Sequence, residues 1–263
     1  MLLKKKIVGG LLVAVIALSS AFTRLQDKPT LFVIGDSTVK NGQGKGADDM
    51  WGWGDFIANY FDKDKIKIEN RALGGTSSRT FQTRGLWDSV LVNLKPGDFV
   101  ILQFGHNDGG QLDDTARARG TIKGIGDESK EIYNPILKKK EEVHTYGWYL
   151  RKFITDAKAK GAQTIVCSPI PRNIFKEGKV IRSSDDYGLW AKEAAKAEGA
   201  YFIDLNKITS DKYDRSGDQV VATYFPKDHT HTNGAGAKVN AASVVEGLRD
   251  LKNCPLKAYL IKK

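Results

Sequence analysis

A serine, a glycine pair, an asparagine and an Asp-x-x-His pair stand at separate points of this chain. Together they are the ingredients of acyl transfer through a serine. Ser37 lies in Val33-Ile-Gly-Asp-Ser-Thr38, just past an apolar run. That placement sets a hydroxyl at a sheet edge, where following backbone N–H groups can face an oxyanion. Gly-Asp-Ser alone is weak, because turns use these residues freely. Asn70-Arg-Ala-Leu-Gly-Gly-Thr-Ser-Ser-Arg79 carries paired glycines after a second β-like run. Glycine there admits positive φ and close backbone approach, although an ordinary strand-to-helix turn reads the same way. Phe104-Gly-His-Asn-Asp108 follows a third apolar run. Its Asn107 amide can donate to a developing oxyanion; a polar turn is the plain alternative. Finally, Asp228-His-Thr-His-Thr-Asn-Gly-Ala-Gly236 sets Asp228 and His231 three apart, just before a helix. Asp228 can there hold the ring by Nδ1–H and leave Nε2 free to take the serine proton. A metal site of Asp228, His229 and His231 competes with this reading. It is the weaker one, since the only other histidines are His106 and His144 and no further His/Cys cluster appears.

These residues need a scaffold that brings distant points together. Short β-like runs at 30–34, 66–70, 98–104, 164–168 and 201–205 alternate with helical patterns at about 53–62, 84–94, 142–160, 185–198 and 234–252. Such alternation predicts a parallel sheet with helices on both faces: a three-layer α/β/α sandwich of five strands in flavodoxin-like order. Reactive groups gather at the carboxyl ends of such strands. Residues 108–141 have weak periodicity and read as a long insertion after the third strand, and 206–227 as a second irregular stretch.

The chain has 263 residues, 41% hydrophobic and 27% charged, which fits one domain at 24–263 with a full core. Residues 1–23 read as a signal peptide: Lys4-Lys5-Lys6, an apolar stretch from Ile7 to Leu18, then Ser19, Ser20 and Ala21. That stretch is short of the ~20 residues a spanning helix needs, so no membrane association is expected after cleavage, and the location expected is secreted or periplasmic. Without Lys4–Lys6, 38 basic residues face 31 acidic ones, a balance of +7. A basic surface is the plain reading; attraction to an acidic polysaccharide is the sharper one. Clustered basic stripes are lacking, so no nucleic-acid partner is expected. Cys167 reads as a core residue, and a Cys167–Cys254 pairing is left open. No metal or organic cofactor is expected, and nothing here fixes an oligomeric state.

The order Ser, Gly, Asn, Asp-x-x-His at consecutive strand ends resembles the SGNH (GDSL-type) hydrolases, and more closely their rhamnogalacturonan acetylesterase group. The likeness runs from Phe32 to about Val245. It rests on Gly35-Asp-Ser-Thr38, Gly52-Trp-Gly-Asp55, Asn70–Arg79, Phe104–Gly110 and Tyr224-Phe-Pro-Lys-Asp-His-Thr-His-Thr232. It implies Ser37 as nucleophile, Asp228 and His231 as acid and base, and Ser37, Gly75 and Asn107 as oxyanion donors. Thr76 departs from the arginine that follows the glycine pair in a fungal relative, which loosens the tie to one polymer; Arg79 stays in step. The implied activity is that of a secreted serine esterase removing acetyl groups from a plant cell-wall polysaccharide such as pectin. The polar stretch Asn41–Asp49 with Trp51 and Trp53 suits a glycan better than a lipid, although packing against the start of the following helix explains the two tryptophans too, and Trp53 at least as well. The alternatives are an SGNH esterase for another acetylated glycan such as xylan or for lipid esters, or a catalytically silent carbohydrate-binding protein.

Overall fold

Alternation in Thr30-Leu-Phe-Val-Ile-Gly35 sends Leu31 and Val33 to one face of a strand and Phe32 and Ile34 to the other. A strand apolar on both faces belongs inside a parallel sheet. The computed structural model describes residues 28–262, so the signal-peptide expectation lies outside the described residues. In chain order the elements are β1 (Thr30–Gly35), β2 (Lys67–Asn70), α1 (Ser78–Thr83), α2 (Leu86–Leu91), β3 (Phe99–Gln103), β4 (Ser129–Asn134), β5 (Lys139–His144) and α3 (Tyr146–Ala159). They continue with β6 (Gln163–Cys167), β7 (Phe175–Lys176), β8 (Lys179–Val180), α4 (Tyr187–Glu198), β9 (Tyr201–Ile203), α5 (Leu205–Ser216), α6 (Asp218–Ala222) and α7 (Gly234–Asp250).

The central sheet has the order β2-β1-β3-β6-β9 and every pairing in it is parallel. Val33 of β1 sits opposite Asn70 of β2 and Ile101 of β3. The loops carrying Ser37, Gly75 and Asn107 therefore leave neighbouring strands at the same edge. The chain steps from β1 out to β2 and then back across to β3, and such a reversal opens a crevice at the strand ends. One face is covered by α1 to α4, where Phe81, Trp87 and Phe153 interlock; Phe153 stacks on Phe104 at 5.4 Å and meets Trp87 edge-on at 5.0 Å. The other face is covered by α5, α7 and turns at 53–60 and 255–259, through Trp53, Leu205, Val244 and Leu256. This is the expected three-layer sandwich, and the five expected strands are its sheet.

Several local expectations need correction. Residues 53–62 form 3-10 turns at Trp53–Asp55 and Ile57–Tyr60, not an α-helix. Gly52 explains why: a Cβ there would meet the Val39 carbonyl carbon at 2.1 Å, so this segment is pressed against the serine turn instead of coiling. The helix expected over 142–160 starts at Tyr146, where the Thr145 side chain accepts from Trp148 N–H, a cap of about 1 kcal/mol. Residues 139–144 instead pair with 129–134 as the antiparallel hairpin β4–β5, which runs from the expected insertion into the start of the expected helix. Most of that hairpin is exposed on both faces, so it carries little alternation to read. The stretch 206–227 contains α5 and α6; the inward face of α5 presents Asn206, Thr209 and Ser210, which hides its period. Cys167 and Cys254 are both buried and free, within one core cluster.

Candidate active site

Ser37 follows β1 in a turn built by Asp36. The buried Asp36 carboxylate accepts from Thr38 N–H at 2.9 Å and Thr38 Oγ1–H at 2.7 Å, which folds the chain tightly around the serine. Thr38 Oγ1 accepts in turn from Gln103 Nε2 at 2.6 Å, and Gln103 Oε1 accepts from the Trp53 indole at 2.9 Å. Trp53 is thus committed to the core and is not available for sugar stacking. Trp51 is half-buried and joins the histidine segment instead: its N–H donates to Thr232 O at 2.8 Å and its ring lies 5.2 Å from Phe56. Burial alone would raise the Asp36 pKa, but His106 and the Thr38 bonds outweigh it and hold the carboxyl below its usual range.

The serine meets the C-terminal motif directly. Ser37 Oγ lies 2.8 Å from His231 Nε2, and His231 Nδ1 lies 2.7 Å from Asp228 Oδ2. A proton on Nδ1 facing the carboxylate leaves the Nε2 lone pair aimed at the hydroxyl, the tautomer that proton abstraction requires. Asp228 Oδ1 also accepts from the Thr230 and His231 backbone N–H groups at 2.6 and 2.8 Å, so the acid fixes both ring and loop. Desolvation pushes Asp228 upward, yet the bonds from His231 and Thr230 win and lower it to about 2. Directly after the pair, Asn233 caps α7 by accepting from Gly236 N–H at 3.0 Å, which anchors the loop to a seventeen-residue helix.

The two glycines arrive where the sequence places them. A Cβ on Gly74 would lie 3.5 Å from Ser37 Cβ, so this loop flanks the serine. Gly75 has φ +80°, in the left-handed region where a side chain is strained. Among the described residues, the N–H groups of Ser37 and Gly75 donate to no protein acceptor. Asn107 Nδ2 donates to Thr76 O at 2.8 Å; that bond positions the amide and uses one of its two N–H groups. Ser37, His231 and Asp228 are thus bonded in line, with Gly74 against Ser37 and Asn107 bonded to the residue after Gly75. The three residues of the metal reading do not converge: His231 is engaged at both ring nitrogens, and His229 Nε2 accepts from the Arg172 guanidinium at 3.1 Å.

Three groups in the site went unread from sequence. Arg172 ties the loop after β6 to the histidine segment, with Nη1 donating to Thr230 Oγ1 at 2.5 Å and Nη2 to His106 O at 3.3 Å. Nothing in Ser168-Pro-Ile-Pro-Arg-Asn173 signals this, because the contact joins residues 58 apart. Asp36 and Asp108 sit inside motifs whose neighbours drew the attention. Asp108 is buried and accepts from Ser78 N–H at 3.0 Å and Ser78 Oγ–H at 2.5 Å. Desolvation dominates there, partly opposed by Ser78 and reinforced by the Asp36 charge, and raises its pKa to about 7. The fold therefore holds a proton on Asp108 that the unfolded chain releases near 3.8, so stability falls as pH climbs from there to about 7. Asp108→Asn removes the titration and keeps an acceptor for Ser78. Its melting temperature relative to the parent is expected to rise between pH 4.5 and pH 8; a pH-independent difference would refute the assignment.

Comparison with known proteins agrees with this architecture. Residues 33–239 match the GDSL-like lipase/acylhydrolase family. A rhamnogalacturonan acetylesterase of Emericella nidulans is 32% identical over 220 residues, 83% of this chain and 84% of that protein. A probable rhamnogalacturonan acetylesterase of Bacillus subtilis is 29% identical over 238 residues, 89% and 98% of the two chains. The crystal structure of Bacillus subtilis YxiM superposes with a TM-score of 0.67 at 28% identity, covering 84% of this chain and 56% of that one. Fold and relatives together define a carboxylic ester hydrolase. The chain belongs to the GDSL-like lipase/acylhydrolase family, within the SGNH hydrolases.

Proposed function

We propose that this chain is an exported acetylesterase that deacetylates a plant cell-wall polysaccharide, rhamnogalacturonan before other glycans, with Ser37 as nucleophile. The observation that carries the reading is the unbroken line from Ser37 Oγ through both nitrogens of His231 to Asp228. His231 takes the proton as Ser37 Oγ attacks the acetyl carbonyl, and Asp228 steadies the imidazolium. The oxyanion is received by the Ser37 and Gly75 N–H groups and the remaining Asn107 amide N–H. His231 then protonates the departing sugar alkoxide. A water deprotonated by the same ring attacks the acetyl-serine and releases acetate. The substrate preference rests on the acetylesterase relatives and the polar, basic character of the chain.

An organophosphorus reagent is expected to label the Ser37 peptide and abolish activity, while EDTA leaves turnover unchanged. Acetate release is expected to be fastest from acetylated rhamnogalacturonan when it is compared with acetylated xylan and long-chain aryl esters. Loss on chelation restored by a divalent ion would overturn the serine mechanism, and a long-chain preference would overturn the glycan.

A further inference from the structure

Beside the relay lies a cavity of about 260 Å³ between the loop after β6, the hairpin β7–β8 and the start of α4. It is smaller than the roughly 300–1,000 Å³ of pockets that enclose drug-sized ligands, so it suits one ring better than a chain. It abuts the chemistry: its lining includes His106, next to Asn107, and Arg172, which is bonded to Thr230 next to His231. Ile174 and Ile181 also line it, joined by an Ile181 N–H to Ile174 O bond of 2.8 Å. Both isoleucines are solvent-exposed, at 39% and 51%, and give the cavity an apolar wall.

The charges in this cavity are unequal. Arg182 is neutralised by Asp211 at 2.8 Å and Asp214 at 2.7 Å. Arg172 bonds only to His229 Nε2, Thr230 Oγ1 and His106 O, so among the described residues it has no carboxylate partner. An arginine fixed in place by neutral acceptors keeps free N–H groups in a fork that matches a carboxylate. The same lining holds Asp186, whose carboxylate accepts from Ser183 Oγ–H, and Tyr187. A cation, a hydroxyl acceptor and an apolar wall are together what a hexuronate sugar needs: one carboxylate, several hydroxyls and an apolar ring face.

We propose that this cavity is a subsite for a uronic-acid residue of the bound glycan, with Arg172 reading its carboxylate. The proposal deepens the glycan reading above and rests on it. The charge-assisted pair predicts at least about a tenfold preference for the acid sugar over its neutral counterpart.

The test uses inhibition of aryl acetate hydrolysis by two probes: deacetylated rhamnogalacturonan tetrasaccharide, and the same tetrasaccharide with its carboxylates reduced to alcohols. The parent enzyme is expected to favour the acid probe at least about tenfold, and Arg172→Gln to bring that ratio near one. Because Arg172 also braces the histidine segment, a second variant is used at the exposed cavity mouth. Ile181→Asp sets a carboxylate in the lining that Arg172 shares and is expected to erase the ratio by repelling the acid probe and opposing the Arg172 charge. Equal inhibition of the parent by both probes would overturn the proposal, as would an undiminished ratio in Ile181→Asp. The readings fail separately: acetate release from the polymer panel judges the acetylesterase, and the inhibition ratio judges the subsite alone.

Discussion

His231→Ala is expected to lower turnover on a small acetyl ester by on the order of 10⁴–10⁶, the scale on which serine triads lose activity without their base. His231 is, among the described residues, the ring bonded to Ser37 Oγ, while His229 is bonded to Arg172 instead. His229→Ala, measured on the same ester, is expected to cost less than about tenfold, since its ring orients Arg172 rather than the serine. Asp228→Asn is expected to fall between them. Mis-setting the tautomer costs up to about 10⁴, but the Asp228 side chain is 41% exposed, so water can replace part of its field. Because the folded protein holds Asp228 near 2, below its ordinary 3.8, its anchoring of the loop is complete above 3.8 and fades as pH falls through about 2. Stopped-flow turnover with circular dichroism separates lost chemistry from lost folding. A folded His231→Ala with normal turnover beside an inactive His229→Ala would overturn the Asp-x-x-His assignment.

Glu141→Ala is expected to destabilise the fold by about 3–5 kcal/mol, the cost of leaving a buried charge without its partner. Arg79 is fully buried in α1, four residues beyond the Gly75 turn. Its Nε and Nη2 donate to the two Glu141 oxygens at 2.7 Å each, and Nη1 donates to Leu112 O and Gly120 O at 2.8 Å. One guanidinium thus fastens the hairpin β4–β5 and the loop after Asn107 to the helix behind the oxyanion turn. Burial would raise the Glu141 pKa, but the bonds from Arg79 and Asn134 outweigh it and keep the carboxyl below its usual value. Urea unfolding measures the loss directly, and the melting temperature should fall by on the order of 10 °C. Glu141→Gln keeps the oxygen acceptor and is expected to cost less. A Glu141→Ala protein within 0.5 kcal/mol of the parent would mean that water replaces the lost carboxylate.

What the sequence determined by itself is the order of strands and the residues at their ends. Runs such as Phe99–Gln103 are apolar on both faces, which suits a strand covered on both sides inside a parallel sheet. Ser37, Gly75 and Asn107 were legible because each stands a few residues beyond a β-like run, and Asp228 with His231 because three residues suffice to bridge carboxylate and ring. Elements whose buried face is polar or scarcely buried stayed hidden. Helix α5 turns Asn206, Thr209 and Ser210 inward, and hairpin β4–β5 exposes most of its side chains, so neither leaves a hydrophobic period. The tertiary structure alone decided the long-range pairings. Arg79 finds Glu141 across 62 positions, Arg172 finds Thr230 across 58, and Trp53 turns inward to Gln103 rather than out to a sugar. A hydrogen bond between residues far apart in the chain depends on where the strands and helices deliver each side chain, and residue type and spacing do not encode that position.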